Sequence, residues 1–166
     1  MKTVLPPKAI SSSDVSVFLA GTIDMGNSID WQQKFIDQAN KEETLNDVVV
    51  FNPRRKSWDH TWTQRVENKQ FSEQVNWELD AMENADVILL FLEADSKSPI
   101  SIMEFGLFAD SGKLMVCCED GFWRKGNIDI VCRRKGIDQY KTFDELSEAV
   151  ITKLKSWQIL NKLEKR

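Results

Sequence analysis

The chain has 166 residues and a formal net charge of −4, from 22 basic and 26 acidic side chains. That is the length of one domain with a core of its own. One histidine and three cysteines exclude a histidine-rich zinc site and a disulfide framework, and the mild acidity argues against polymeric nucleic acid as a partner.

The elements follow in chain order. Residues 1–13, with a Pro-Pro pair and a Ser-Ser-Ser run, read as a flexible leader without a signal-peptide apolar core. Val15-Ser16-Val17-Phe18-Leu19-Ala20 is a short apolar run ending at Gly21, a buried strand. Residues 28–40 read as a helix with Ser28 as its cap. Val48-Val49-Val50-Phe51 is a second strand, stopped by Asn52-Pro53. A long irregular stretch, 54–70, carries Trp58, His60 and Trp62. Residues 72–84 are predicted helical, and Asp86-Val87-Ile88-Leu89-Leu90-Phe91 is the clearest strand. Ser98-Pro99 opens another helix, with Ser at the cap and Pro at the first position, closing near Gly112. Residues 113–118 form a fourth strand and 128–132 a fifth. A last helix runs from 142 to about 160, with Thr142 and Glu145 spaced as a capping box. Residues 161–166 are a tail.

Strands that are continuously apolar and alternate with helices imply a parallel sheet covered on both faces. The expected fold is therefore α/β: a single doubly wound domain over residues 14–160, flavodoxin- or Rossmann-like, with a five-stranded, mainly parallel sheet. Ligands in such folds sit beyond the carboxyl ends of the strands. No apolar run approaches the ~20 residues of a membrane span. Cys117, Cys118 and Cys132 read as core thiols in a reducing compartment, so no membrane partner and a cytoplasmic location are expected.

Two acids stand out. Glu104 is the single charged residue of the otherwise apolar run from Ser98 to Ala109, so the helix is expected to be largely buried with one carboxylate inside it. Burying a carboxylate is costly unless it is hydrogen-bonded or lines a wet cleft. Two readings are open: a structural acid paired within the fold, or a reactive one near the ligand crevice. Glu78 borders the stripe of Val75, Leu79 and Met82, which turns it toward the protein. It is either an amphipathic edge residue or a second reactive acid. Two carboxylates in different environments can divide the roles of nucleophile and proton donor.

Gly21 would let a ligand approach the backbone where the first strand ends. Asn52-Pro53-Arg54-Arg55 is either a turn with solvated arginines or a contact for an anion or a nucleobase. Trp58, Trp62 and Trp77 are either core or stacking surfaces for a base.

Taken together, these motifs resemble the nucleoside 2-deoxyribosyltransferase family, in its deoxyribosyltransferase-like branch. The matching pieces run in order along most of the chain: Phe18-Leu19-Ala20-Gly21-Thr22-Ile23-Asp24, Trp31-Gln32, Asn52-Pro53-Arg54-Arg55, Phe71-Ser72-Glu73-Gln74-Val75-Asn76-Trp77-Glu78, Ala85-Asp86-Val87-Ile88, and Pro99-Ile100-Ser101 through Glu104-Phe105-Gly106. The resemblance implies cleavage of the N-glycosidic bond of a (2′-deoxy)nucleoside through a covalent glutamyl–sugar intermediate, with the sugar passed to another nucleobase or to water. It implies no metal and no organic cofactor, nucleosides or nucleotides and free nucleobases as small-molecule partners, and a homodimer or higher homo-oligomer.

Residue by residue, the family's nucleophile falls on Glu104 and its acidic partner on Glu78, where the founding enzymes carry aspartate. A second acid of those enzymes, six positions before the nucleophile, is replaced by Ser98. A serine there is similar to related nucleotide N-glycosidases, where it helps hold a 5′-phosphate. The founding tyrosine falls on Phe18, which lacks the hydroxyl. Gly21, Thr22 and Asp24 are expected to floor the sugar site. Asn52, Arg54, Trp58, Trp62 and Trp77 are expected to shape the base pocket. Asn127 is the candidate for an amide that some members supply from a neighbouring subunit. Two alternatives accompany this expectation: a nucleoside 5′-monophosphate N-glycosidase, and a non-catalytic nucleotide-sensing module on the same fold.

Overall fold

The computed structural model describes residues 1–10, 14–23, 30–55 and 61–164. The described residues form six strands and five α-helices, alternating from β2 onward: β1 (Lys2–Val4), β2 (Ser16–Gly21), α1 (Trp31–Ala39), a 3₁₀ turn (Glu43–Leu45), β3 (Val49–Phe51), α2 (Lys69–Asn84), β4 (Val87–Leu92), α3 (Pro99–Phe108), β5 (Leu114–Cys118), α4 (Lys125–Lys135), β6 (Asp138–Tyr140) and α5 (Phe143–Glu164). The sheet order is β1-β3-β2-β4-β5-β6, and every neighbouring pair is parallel. Without β1 this is the flavodoxin-like order of a doubly wound, Rossmann-like fold. The chain reverses its direction of travel across the sheet between β2 and β4, so the switch point lies beyond Gly21 and Leu92.

Strand alternation explains the two cores. In β2 and β4, Val17, Leu19, Val87, Leu89 and Phe91 face one side, where α1 and α5 supply Trp31, Phe35, Leu146, Val150 and Leu154. Phe18, Ala20, Ile88, Leu90 and Leu92 face the other, where Trp77 and Met82 of α2, Phe105 of α3 and Ile128 and Cys132 of α4 cover them. Both faces are covered, so the strands carry no polar alternation.

The strand count is six where five were expected, and two elements account for it. Lys2–Val4, within the expected leader, pairs with β3 at the sheet edge. The expected fifth strand, 128–132, is part of α4. Ile128 and Cys132 are buried four residues apart while Ile130 between them is 67% exposed, which is a helical period. The helix is closed by Gly136 at φ 67°, whose N–H donates to the Cys132 carbonyl. The true next strand, β6, is short and mostly exposed, so it shows no apolar run.

Caps correct the helix boundaries. Asp30 caps α1 by accepting from the Gln33 N–H at 3.0 Å, while Ser28 lies outside the described residues. Asn68 caps α2 by accepting from Phe71 N–H at 3.1 Å, so α2 starts three residues before the expected Ser72. The Thr142–Glu145 capping box forms as read: Glu145 N–H donates to Thr142 Oγ1 at 3.2 Å and Thr142 N–H to Glu145 Oε2 at 3.3 Å. Helix α5 runs on to Glu164, past the expected tail boundary. The three cysteines are free and buried, and burial pushes each thiol up to about 12. Among the described residues, no helix is long and apolar enough to cross a membrane.

Candidate active site

Strands β2 and β4 end side by side. Gly21 sits at φ +137°, and a Cβ there would overlap the Phe91 carbonyl oxygen. The glycine therefore serves first the close approach of two strands, rather than the approach of a ligand. Directly after it, Thr22 is held on every side: its N–H donates to Phe91 O at 2.9 Å, and its carbonyl accepts from the Trp31 indole at 2.7 Å.

The Thr22 hydroxyl is the centre of a small cluster. It lies 2.9 Å from Ser96 Oγ and 2.8 Å from Ser98 Oγ, which are themselves 2.9 Å apart, and it accepts from the Glu93 N–H at 3.1 Å. Ser96 also donates to the Glu93 carbonyl at 2.9 Å. Ser98 occupies the cap position of α3 at φ 39°, a left-handed conformation that a non-glycine residue adopts at a cost. Its hydroxyl does not cap the helix, contrary to expectation, because it is spent on Thr22 and Ser96. The side chain thus leaves the first amides of α3 uncapped.

Six residues further, about 9 Å along the helix axis, stands Glu104. It is 8% exposed, between the buried Ser101 and Phe105. The rest of α3 is less buried than its apolar sequence implied. Ile100, Met103 and Leu107 are 56%, 48% and 61% exposed, a stripe pointing away from the sheet. Glu78 comes from α2, on the same face of the sheet, and is half-buried. The two carboxylates sense each other. Burial lifts Glu78 to about 7, against the pull of a hydrogen bond from Gln74. Burial, and then the charge of Glu78, lift Glu104 to about 8. Near neutral pH the pair retains a proton that two solvent-exposed glutamates would have lost.

The segment after β3 is folded by its own side chains. Asn52 Oδ1 accepts from the Arg54 N–H at 2.9 Å, an Asx turn. The Arg54 guanidinium reaches Gln32 Oε1 at 3.3 Å and Asp30 at 3.7 Å. Arg55 lies over the Trp62 ring at 4.6 Å. Trp77 is 6% exposed, with its ring 6.4 Å from Phe18 and 6.3 Å from Phe51, and its indole N–H donates to the Lys8 carbonyl at 2.7 Å.

The structure therefore brings Thr22 together with Ser98, Asn52 with Arg54, and Phe18 with Trp77, and sets Glu78 where its charge raises Glu104. Asp24 and Trp58 lie outside the described residues. Asn127 was expected before a strand; it stands exposed in the first turn of α4. Three polar residues at the site received no role in the sequence reading: Ser96, Gln74 and Gln32. Ser96 had a visible signal in the Ser-Lys-Ser spacing of a loop leaving the third apolar strand.

The fold and site define a class: a doubly wound α/β protein whose strand ends carry a hydroxyl cluster and whose adjoining face holds two coupled carboxylates. Residues 14–122, more than half of the chain, match the family described as nucleoside 2-deoxyribosyltransferase like, and the chain belongs to that family. No curated protein matches it in sequence.

Proposed function

We propose that this protein cleaves the N-glycosidic bond of nucleosides, 2′-deoxynucleosides foremost, through a covalent sugar ester on Glu104, and passes the sugar to a second base or to water. The observation that carries this reading is the pair of coupled carboxylates held on α2 and α3 of a chain of this family. Glu104 bonds to the anomeric carbon as the C–N bond breaks through an oxocarbenium-like transition state. The leaving base needs a proton, and the pair enters the reaction holding one. In the second half a base nitrogen or water attacks the same carbon, gives its proton back to the pair through Glu78, and the Glu104 carboxylate departs. Glu78 holds or protonates groups of the sugar or base. Such exchange belongs to nucleotide salvage in the cytoplasm, where three unpaired thiols are at home.

Thr22 and Gly21, with Asp24, floor the sugar site. Asn52, Arg54, Trp58 and Trp62 shape the base pocket, backed by Phe18 and Trp77. A second copy covers the exposed stripe of α3, since a helix apolar on all sides is ordinarily buried, and Asn127 reaches the neighbour's site from it. Sedimentation of the wild type and Met103→Glu tests this. A dimer that the charge splits supports it, and a monomeric wild type refutes it.

Release of free base from a panel of nucleosides, compared with Glu104→Ala, tests the chemistry. Loss of release in the variant supports the nucleophile, and release that survives in it refutes the assignment. A wild type that binds nucleosides without releasing base would instead make the protein a sensing module. Ser98 and the uncapped start of α3 favour a second reading, hydrolysis of nucleoside 5′-monophosphates. A preference for the monophosphate that is lost in Ser98→Ala would select it.

A further inference from the structure

Gln74 lies one helical turn before Glu78 and is 2% exposed. Its Nε2 donates to Glu78 Oε1 at 2.8 Å and to the Pro53 carbonyl at 3.1 Å. Its own Oε1 is buried and accepts no hydrogen bond from the described residues. An unpartnered buried acceptor costs about 1–3 kcal/mol. Turning the amide over would set its oxygen against the Pro53 carbonyl, so the orientation is fixed by a backbone atom. The side chain can meet Glu78 only as a donor, and a donor favours the carboxylate over the carboxylic acid.

We propose that Gln74 is a positioning residue for charge: with both amide protons committed to Glu78 and Pro53, it fixes Glu78 as the ionised member of the pair and leaves the retained proton on Glu104. Among the described residues, it is the Gln74 hydrogen bond that opposes the effect of burial on Glu78. Glu104, from α3, is the partner itself. From the segment after β3, Arg54 is engaged with Gln32 and Asp30, and Arg55 lies over Trp62. Glu104 of the resting protein is then masked as a nucleophile. It becomes competent when its proton leaves for the base, for Glu78 or for solvent. The kinetic consequence rests on the reading of Glu104 as nucleophile, while the proton's location does not.

The test is a carboxyl-carbon NMR titration of glutamate-labelled protein from pH 5 to 9, with the Gln74 side-chain amide followed in parallel. Glu78 should ionise before Glu104, and the Gln74 amide protons should shift with Glu78. In Gln74→Met, of similar volume but without a donor, Glu78 should hold its proton to higher pH and Glu104 should lose its proton earlier. The rising limb of base release against pH should then move down by about one pH unit, with KM little changed. Glu104 ionising first in the wild type, or an unchanged order and limb in the variant, would overturn the proposal. If Gln74→Met does not fold, the wild-type amide decides alone: an amide silent while Glu78 titrates overturns it. If the wild type releases no base, the functional reading fails and the titration still judges Gln74.

Discussion

The two faces of the sheet are built from the same kind of strand and differ in what covers them. The side under α1 and α5 is mainly apolar: Val17, Leu19, Leu89, Val150 and Leu154 are each buried to within a few per cent, the buried polar groups of these helices are the neutral Gln32, Ser147 and Gln158, and among the described residues no carboxylate is buried there. The side under α2, α3 and α4 packs as closely along the strands yet admits Glu104 and Glu78 and leaves an apolar stripe of α3 open. One face supplies stability and can be altered at a cost in folding alone. The other carries a charge burden that lowers stability once the carboxyls ionise.

That contrast is open to being broken, and the largest effects come from the charged face. Glu104→Ala is expected to reduce base release by at least about 10⁴-fold, the scale of losing a nucleophile. Glu78→Gln should cost about 10²–10⁴-fold, the range of proton-handling groups. Single-turnover rates check both, and a Glu78→Gln rate equal to wild type would remove Glu78 from the chemistry.

On the face under α1 and α5, Leu89→Ala is expected to cost about 2–5 kcal/mol in urea unfolding, with kcat retained in the folded fraction. A loss of kcat without a loss of stability would erase the distinction between the faces.

A smaller effect sharpens it. Both carboxyls stand above the ordinary value of 4.5, Glu78 at about 7 and Glu104 at about 8. The folded protein therefore binds more protons than the unfolded chain between about pH 4.5 and 8. Their contribution to stability is fully present below 4.5 and is lost as pH rises through 7 and 8. The melting temperature should fall across that window. At pH 9, Glu104→Gln should melt higher than wild type, by about 2–4 °C for each kcal/mol of relieved burial. Calorimetry at pH 5 and pH 9 checks it. Equal melting temperatures of the two proteins at both pH values would mean that Glu104 is not burdened by burial.

Much of this was legible in the residues. Strands β2, β3, β4 and β5 show as continuous apolar runs because helices cover both of their faces. The edge strands β1 and β6 did not show, since Lys2-Thr3-Val4 and Asp138-Gln139-Tyr140 are largely exposed and held by backbone pairing with one neighbour. The run at 128–132 was misread because a short apolar stretch looks alike in strand and helix. The one-sided burial of Ile128 and Cys132 is visible only in three dimensions.

At the site, Glu104 was legible as a lone charge in an apolar helix, and Glu78 as an acid beside an apolar stripe. Their partners were not. Gln74 and Gln32 are neutral amides, and nothing in their spacing distinguishes a buried amide from a solvated one, while Ser96 showed only in its Ser-Lys-Ser spacing with Ser98. The exposed stripe of Ile100, Met103 and Leu107 was hidden for the opposite reason: an apolar helix reads as buried whether or not its own chain covers it.

The central claim is that Glu104 forms a bond to the sugar. Mass spectrometry of the intact protein and of its peptides after brief incubation with deoxynucleosides, quenched in acid, tests it directly. The account predicts a deoxyribosyl adduct on the peptide containing Glu104, absent in Glu104→Gln. Base release by the wild type with no adduct at any quench time, or with the adduct on another residue, would contradict it.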